Sequence, residues 1–216
     1  MSGSVVAAQD VPADRQDDVE SRLTIDGRLQ QRVLRFGAGR STARGPGRLQ
    51  ELLYVVSGSG VLHLGGEAHA LEPDSGILIL PDETYELEGP LLAVSVLAPA
   101  SDSNQRERVV SRFADRPEER ADENRTFRVL HEGELTQFVG VVQPCRAPDH
   151  SHPYDEVGYI AEGRGFAHVD GESIAIGPGS CFHLPPGKVH CIENSGPGVM
   201  RIMGVFHPSG SPKQRS

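Results

Sequence analysis

The stretch HSHPYDEVGYIAEGRGFAHVDGESIAIGPGSCFHLPPGKVHCIEN, residues 150–194, decides how this chain is read. It sets His150 and His152 two apart, Glu156 shortly after, and His190 beyond a Pro185-Pro186-Gly187 turn. Alternate residues of a strand share a face, so His150 and His152 project together, about 7 Å apart by the rise per residue. Pro153, Tyr154 and Asp155 bend the chain and return the Glu156 carboxylate to the same interior. His190 opens a later strand after the proline turn reverses direction. Neutral imidazoles and a carboxylate are borderline-to-hard donors suited to Fe, Mn, Co, Ni, Cu or Zn. Four protein donors leave octahedral positions open, which marks a catalytic centre rather than a closed structural one.

The same pattern has an earlier, degraded copy. A shift of 105 residues lays ELLYVVSGSGVLHLGGEAHALEPDSGILILPDETYEL on EVGYIAEGRGFAHVDGESIAIGPGSCFHLPPGKVHCI without a gap. Glu51 meets Glu156, Tyr54 meets Tyr159, Gly60 meets Gly165 and Pro81 meets Pro186. Shared glycines fall where strands must turn. Two copies of one β-domain is the economical reading. The alignment sets Gly45 against His150, Gly47 against His152 and Tyr85 against His190, so only Glu51 survives. One carboxylate and one phenol cannot hold a transition metal tightly, and the first copy is expected to be metal-free. It then scaffolds the fold or supplies a dimer surface. The alternative is a second small-ligand pocket lined by Arg44, Arg48, Glu51 and Tyr85, in which an arginine offsets the cost of burying Glu51.

Composition agrees with an all-β chain. Among 216 residues there are 25 Gly and 16 Pro, and the apolar runs are short and broken by turn residues. Residues 1–22 are small, polar and acidic, and read as a disordered tail. Residues 23–100 form the first β-domain and 127–208 the second. Between them, residues 101–126 read as a charged linker with a short helix around Asn104–Phe113, and 209–216 as a loose tail. The net charge of -9 and the lack of a basic stripe exclude a phosphate-backbone partner. Three cysteines without CxxC spacing fit reduced thiols. With no leader-like start and no run of ~20 apolar residues, a cytoplasmic protein with no membrane partner is expected.

The joint spacing matches the two motifs of the cupin superfamily, G(X)5HXH(X)3-4E(X)6G and G(X)5PXG(X)2H(X)3N. His150, His152, Glu156 and Gly163 read the first. Gly179, Pro185, Gly187, His190 and Asn194 read the second in full. The one departure is Pro144, where the first motif opens on glycine. The chain therefore resembles a two-domain cupin (bicupin), of the quercetin 2,3-dioxygenase-like kind, over roughly residues 25–100 and 127–208. The resemblance implies two tandem double-stranded β-helix (jelly-roll) barrels. It also implies one divalent transition metal on His150, His152, Glu156 and His190 of the second barrel.

Three neutral imidazoles, one carboxylate and a divalent ion sum to about +1, which favours an anionic, chelating small-molecule substrate. The leading function is a metal-dependent dioxygenase acting on an enol, phenol or diketone, with Glu156 doubling as a base. The alternatives are a non-redox isomerase, lyase, decarboxylase or hydrolase, and a binding module without turnover. Tyr154 and Asp155 are candidate acid/base groups at the pocket mouth. Phe138, Ile160, Ile192 and Met203 are candidate pocket walls, with core packing the default reading for each. Cys191 is read as a core thiol facing away from the metal; sequence does not decide the facing of Cys181 and His183, and His183 is read as a surface residue or, alternatively, a group supporting the ligands. A homodimer is compatible with this fold.

Overall fold

The computed structural model describes residues 4–101 and 105–213. The chain divides into two units, Val11–Asp115 and Met1–Asp10 joined to Arg116–Ser216. In chain order the strands begin with β1 (Ser4–Ala7), β2 (Asp14–Gln16), β3 (Val19–Ile25), β4 (Gln30–Phe36), β5 (Gln50–Gly58), β6 (Gly60–Leu64) and β7 (Glu67–Leu71). They continue with β8 (Ser75–Ile79), β9 (Tyr85–Glu88), β10 (Leu91–Ala98), β11 (Val110–Arg112), β12 (Glu119–Asp122), β13 (Arg125–Glu132) and β14 (Thr136–Val142). The last are β15 (Cys145–Arg146), β16 (Asp155–Glu162), β17 (Gly165–Val169), β18 (Glu172–Ile176), β19 (Ser180–Leu184), β20 (His190–Asn194) and β21 (Met200–His207). No helix among the described residues is long and apolar enough to cross a membrane.

Each unit is built from one large and one small antiparallel sheet. The Val11–Asp115 unit has the orders β11-β8-β5-β10-β4-β3-β2 and β7-β6-β9. Leu34, Leu53 and Ile79 of its large sheet form one buried cluster with Leu62, Leu71 and Leu87 of the small one. The other unit repeats the plan as β1-β19-β16-β21-β14-β13-β12 and β15-β20-β17-β18. Its Ile160, Phe182 and Ile202 cluster with Ala167, Val169 and Ile176. Strand alternation decides these faces: Phe182 and Leu184 enter the cluster, while Cys181 and His183 take the opposite side of β19.

The chain's ends and its charged middle differ from expectation. Residues 1–3 and 102–104 lie outside the described residues, as do 214–216. Within the stretch expected to be disordered, β1 pairs with β19, Ser4 opposite His183 and Ala7 opposite Ser180. β2 and the start of β3 occupy the rest of it. Four residues are too few to announce a strand by pattern; an unpaired edge on β19 supplies the reason for one. The helix expected around Asn104–Phe113 is absent over its described part. Val110–Arg112 instead pairs with the edge of β8, followed by one 3-10 turn at Phe113–Asp115. The backbone groups that a helix would have satisfied internally are taken by the sheet. The two units also divide at Asp10/Val11 and Asp115/Arg116 rather than at the expected boundaries.

The repeat is visible where a side chain would not fit. A Cβ on Gly165 would stand 1.8 Å from the Glu193 carbonyl oxygen, and one on Gly60 2.2 Å from that of Glu88. Both obstacles are backbone of the paired strand, so neither can move cheaply. Gly165→Ala is expected to cost about 1–3 kcal/mol or more. The control Gly133→Ala, with nothing within 4 Å of its Cβ, should change little. Urea unfolding midpoints of the two variants would separate them.

The Val11–Asp115 unit also buries a carboxylate. Glu51 accepts hydrogen bonds from the Tyr85 hydroxyl at 3.1 Å and from the Ser95 hydroxyl. Burial still raises its carboxyl above the usual range, against the opposing effects of these hydroxyls and of Arg44 and Arg32. A raised folded value means that folding holds the proton. That contribution is complete below the unfolded value and is lost as pH rises through the folded one. Glu51→Gln, which mimics the protonated group, should therefore raise the denaturation midpoint at about pH 8 and leave it nearly unchanged near pH 4. An equal effect at both values would contradict this account.

Candidate metal centre

Two reciprocal backbone hydrogen bonds make the centre possible. His150 N donates to His190 O at 2.9 Å, and His190 N donates to His150 O at 2.8 Å. The bridge sets the two imidazoles 4.4 Å apart, with His152 at 5.5 and 4.7 Å from them. The turn before β20 holds the third position. Lys188 N donates to Pro185 O at 3.1 Å, closing a turn with Gly187 at φ 74°. A type II turn needs positive φ at its third residue, which is why glycine stands there. Gly187 N then donates to His152 O at 2.8 Å and fixes that residue. Asn194 closes the far end of β20, its amide donating to Val142 O and Gly198 O.

The donor atoms of His150, His152 and His190 all lie within 4.8 Å of one another. Glu156, near the start of β16, brings its carboxylate 3.0 Å from His152 Nε2 and 3.8 Å from His190 Nε2. The tautomers follow from the neighbours. His150 Nδ1 lies 3.0 Å from Pro148 O, and His190 Nδ1 2.8 Å from Lys188 O. A carbonyl only accepts, so both Nδ1 atoms carry the proton and both Nε2 atoms offer a lone pair. Burial, aided by the charge of His190, holds His150 down to about 4; burial likewise lowers His190. Both imidazoles are thus neutral at neutral pH, the form that binds a metal. Burial would raise Glu156, but the His152 hydrogen bond and the charges of the three imidazoles together hold it below the usual range. Oriented neutral imidazoles beside an ionised carboxylate fit a divalent transition ion.

The surrounding cavity has a volume of about 100 Å³. Phe138, Phe182, Leu184, Ile192, Ile202 and Phe206 make it apolar, with Thr126 and Arg125 at its edge. Phe138 and Ile192 therefore stand at the walls named from sequence. Ile160 and Met203 do not: Ile160 is buried in the core cluster and Met203 in the large sheet.

Tyr154 and Asp155 take other places than the pocket mouth. The Tyr154 ring stacks on His152, 4.6 Å between centroids at 14°, and its hydroxyl donates to Ser211 O at 2.9 Å. Asp155 precedes Glu156 in the strand and so turns to the opposite face, where His183 Nε2 lies 3.1 Å away. His183, expected at the surface, is buried by this pairing. Cys191 is buried with a free thiol outside the cavity lining. The described part of the tail is fastened rather than loose. Thr136 binds Ser209 and Gly210, Lys213 pairs with Glu119, and Pro212 lines the cavity. These contacts join residues far apart in the chain, about 73 to 94 positions for the three polar ones, a separation at which strand alternation carries no signal.

The Val11–Asp115 unit has the same bridge with other side chains. Arg44 N donates to Tyr85 O at 2.9 Å and Tyr85 N to Arg44 O at 2.8 Å. Arg44, rather than Gly45, is therefore the counterpart of His150. The gapless alignment fails by one residue because the turn between Arg44 and Glu51 is one longer than that between His150 and Glu156. Arg48 is exposed and stays out of the chamber that Arg44, Glu51 and Tyr85 share.

Comparison with known proteins places this geometry. Residues 138–206 match the Cupin domain model, and residues 40–89 match the AraC-like ligand binding domain model. An uncharacterized protein of Methanocaldococcus jannaschii is 35% identical over 54 residues, a match that covers 25% of this chain and 43% of that protein. AerE from Microcystis aeruginosa superposes with a TM-score of 0.81 at 12% identity, over 91% of this chain and 96% of that one. The putative glyoxylate induced protein of Pseudomonas aeruginosa gives 0.80 at 14% identity, over 97% and 91%. An oxalate decarboxylase variant from Bacillus subtilis gives 0.78 at 12%, over 98% and 79%. The chain is an all-β protein of the cupin fold, and the stretch matching the Cupin domain model, residues 138–206, contains the histidine cluster.

Proposed function

We propose that the chain is a bicupin enzyme whose second barrel holds one divalent transition metal on His150, His152, His190 and Glu156. The observation that carries this reading is the convergence of three imidazole nitrogens, two of them on buried residues, with the His150 and His190 tautomers fixed by Pro148 and Lys188, beside a buried carboxylate. The finer reading is a dioxygenase acting on a small chelating enol, phenol or diketone. Bound there, such an ion supplies Lewis acidity and, if redox-active, electron transfer.

The chain's own residues do the rest. Tyr154 stacks on His152 and holds its ring in plane. The apolar walls exclude water, which strengthens every charge interaction inside. Glu156 is ionised and positioned to take a proton from a substrate hydroxyl in the cavity.

One observation favours a second reading, a non-redox decarboxylase or lyase. A cavity of about 100 Å³ suits a small substrate better than a flavonol-sized one. Oxalate decarboxylase is among the structural neighbours.

Elemental analysis should find about one transition-metal ion per chain. That content should fall at least tenfold in His152→Ala or His190→Ala under the same purification. An unchanged metal content in both variants would remove the centre from these residues. An oxygen electrode then separates the reactions. Oxygen uptake with small diketones or catechols supports the dioxygenase; carbon dioxide release from small diacids without oxygen uptake supports the second reading.

A further inference from the structure

The Val11–Asp115 unit has a chamber at the address of the metal centre, built from different chemistry. It measures about 320 Å³, against about 100 Å³ for the metal cavity. That is room for roughly ten waters and within the usual small-molecule range. Arg32, Thr42, Arg44, Glu51, Tyr85 and Ser95 supply its polar lining. Glu51 accepts from Tyr85 and Ser95, and Arg44 reaches the same Tyr85 hydroxyl. The Arg44 guanidinium also sits 5.9 Å over the Phe36 ring, which limits where it can swing.

The charge balance decides what such a chamber holds. Two guanidinium groups act on one carboxylate, leaving surplus positive charge in a half-enclosed space. Among the described residues neither Arg32 nor Arg44 is taken up in an ion pair. Arg44 stands opposite Tyr85 as His150 stands opposite His190. A permanently charged side chain thus replaces a ligand that needs an ion to become an anion site. Guanidinium forks match carboxylates in two parallel hydrogen bonds. Glu51 repels a multiply charged anion, yet its two hydroxyl donors leave about half of its acceptor positions open. A ligand hydroxyl beside the carboxylate satisfies both constraints.

We propose that this chamber binds a small hydroxycarboxylate, its carboxylate on Arg32 and Arg44 and a hydroxyl donating to Glu51. The inference stands apart from the metal reading, since it uses no residue of the histidine cluster.

Calorimetric titration of the full-length chain with D-gluconate and D-glycerate tests it, with sorbitol and glycerol as neutral counterparts. Binding of an acid is expected at a dissociation constant of about 1 mM or tighter, with no heat from the polyols. Arg44→Gln or Arg32→Gln should weaken it at least tenfold. Their folding is checked by circular dichroism, and the wild-type comparison of acid with polyol decides the question should either variant not fold. No binding of either acid, equal binding of acid and polyol, or full binding in both arginine variants would each overturn the assignment. The last of these outcomes would move the ligand to the metal cavity.

Discussion

The structure of both chambers depends on one pair of reciprocal backbone hydrogen bonds at the open end of the small sheet. In one unit the pair joins His150 to His190, in the other Arg44 to Tyr85, with the same distances of 2.8 and 2.9 Å. Backbone groups must be satisfied whatever side chains they carry. The bridge is therefore indifferent to whether it presents imidazoles or a guanidinium and a phenol. What it fixes is address: two side chains from separate strands arrive above the carboxylate of a third.

The carboxylates show how far chemistry can diverge at one address. Glu156 lies opposite Leu184, and Glu51 opposite Ile79, at equivalent register. Both are buried. Glu156 meets imidazoles and is held below the usual carboxylate range, whereas Glu51 meets hydroxyls and is pushed above it. A neutral donor returns only part of the solvation that burial removes, while a group able to carry positive charge returns more. The groups that hydrogen-bond each buried glutamate, hydroxyls for Glu51 and an imidazole for Glu156, set the direction of its ionisation.

Much of this was legible in the residues. The spacing of His150, His152 and His190 named three side chains that the structure brings together, because short-range strand alternation and a proline turn leave few ways to arrange them. The shift of 105 residues located two copies through their glycines, and Gly60 and Gly165 do face the same backbone obstacle. What failed was whatever depends on distant partners. β1 has no pattern of its own and exists because β19 offers a free edge. Asp155 was placed in the pocket by proximity in sequence, and strand alternation sends it to His183 instead. The one-residue turn difference that puts Arg44 opposite Tyr85 is invisible to a gapless alignment, which allows no extra residue between Arg44 and Glu51. The Ser211 carbonyl that receives the Tyr154 hydroxyl leaves no trace in residue type.

The two linings also imply different regimes of electrostatics. A cavity of about 100 Å³ walled by phenylalanine, leucine and isoleucine holds few waters, so a bound substrate displaces nearly all of them. Charges there act through a low effective dielectric, and the cost of placing them is met by the imidazole–carboxylate arrangement. The larger chamber has a mainly polar lining open to solvent, so its arginines act through screened charge. Screened charge suits reversible capture of an anion, while a dry pocket with an ionised carboxylate suits stabilising charge that develops during a reaction. The division between the chambers thus follows from their side chains, because the frame that carries them is the same.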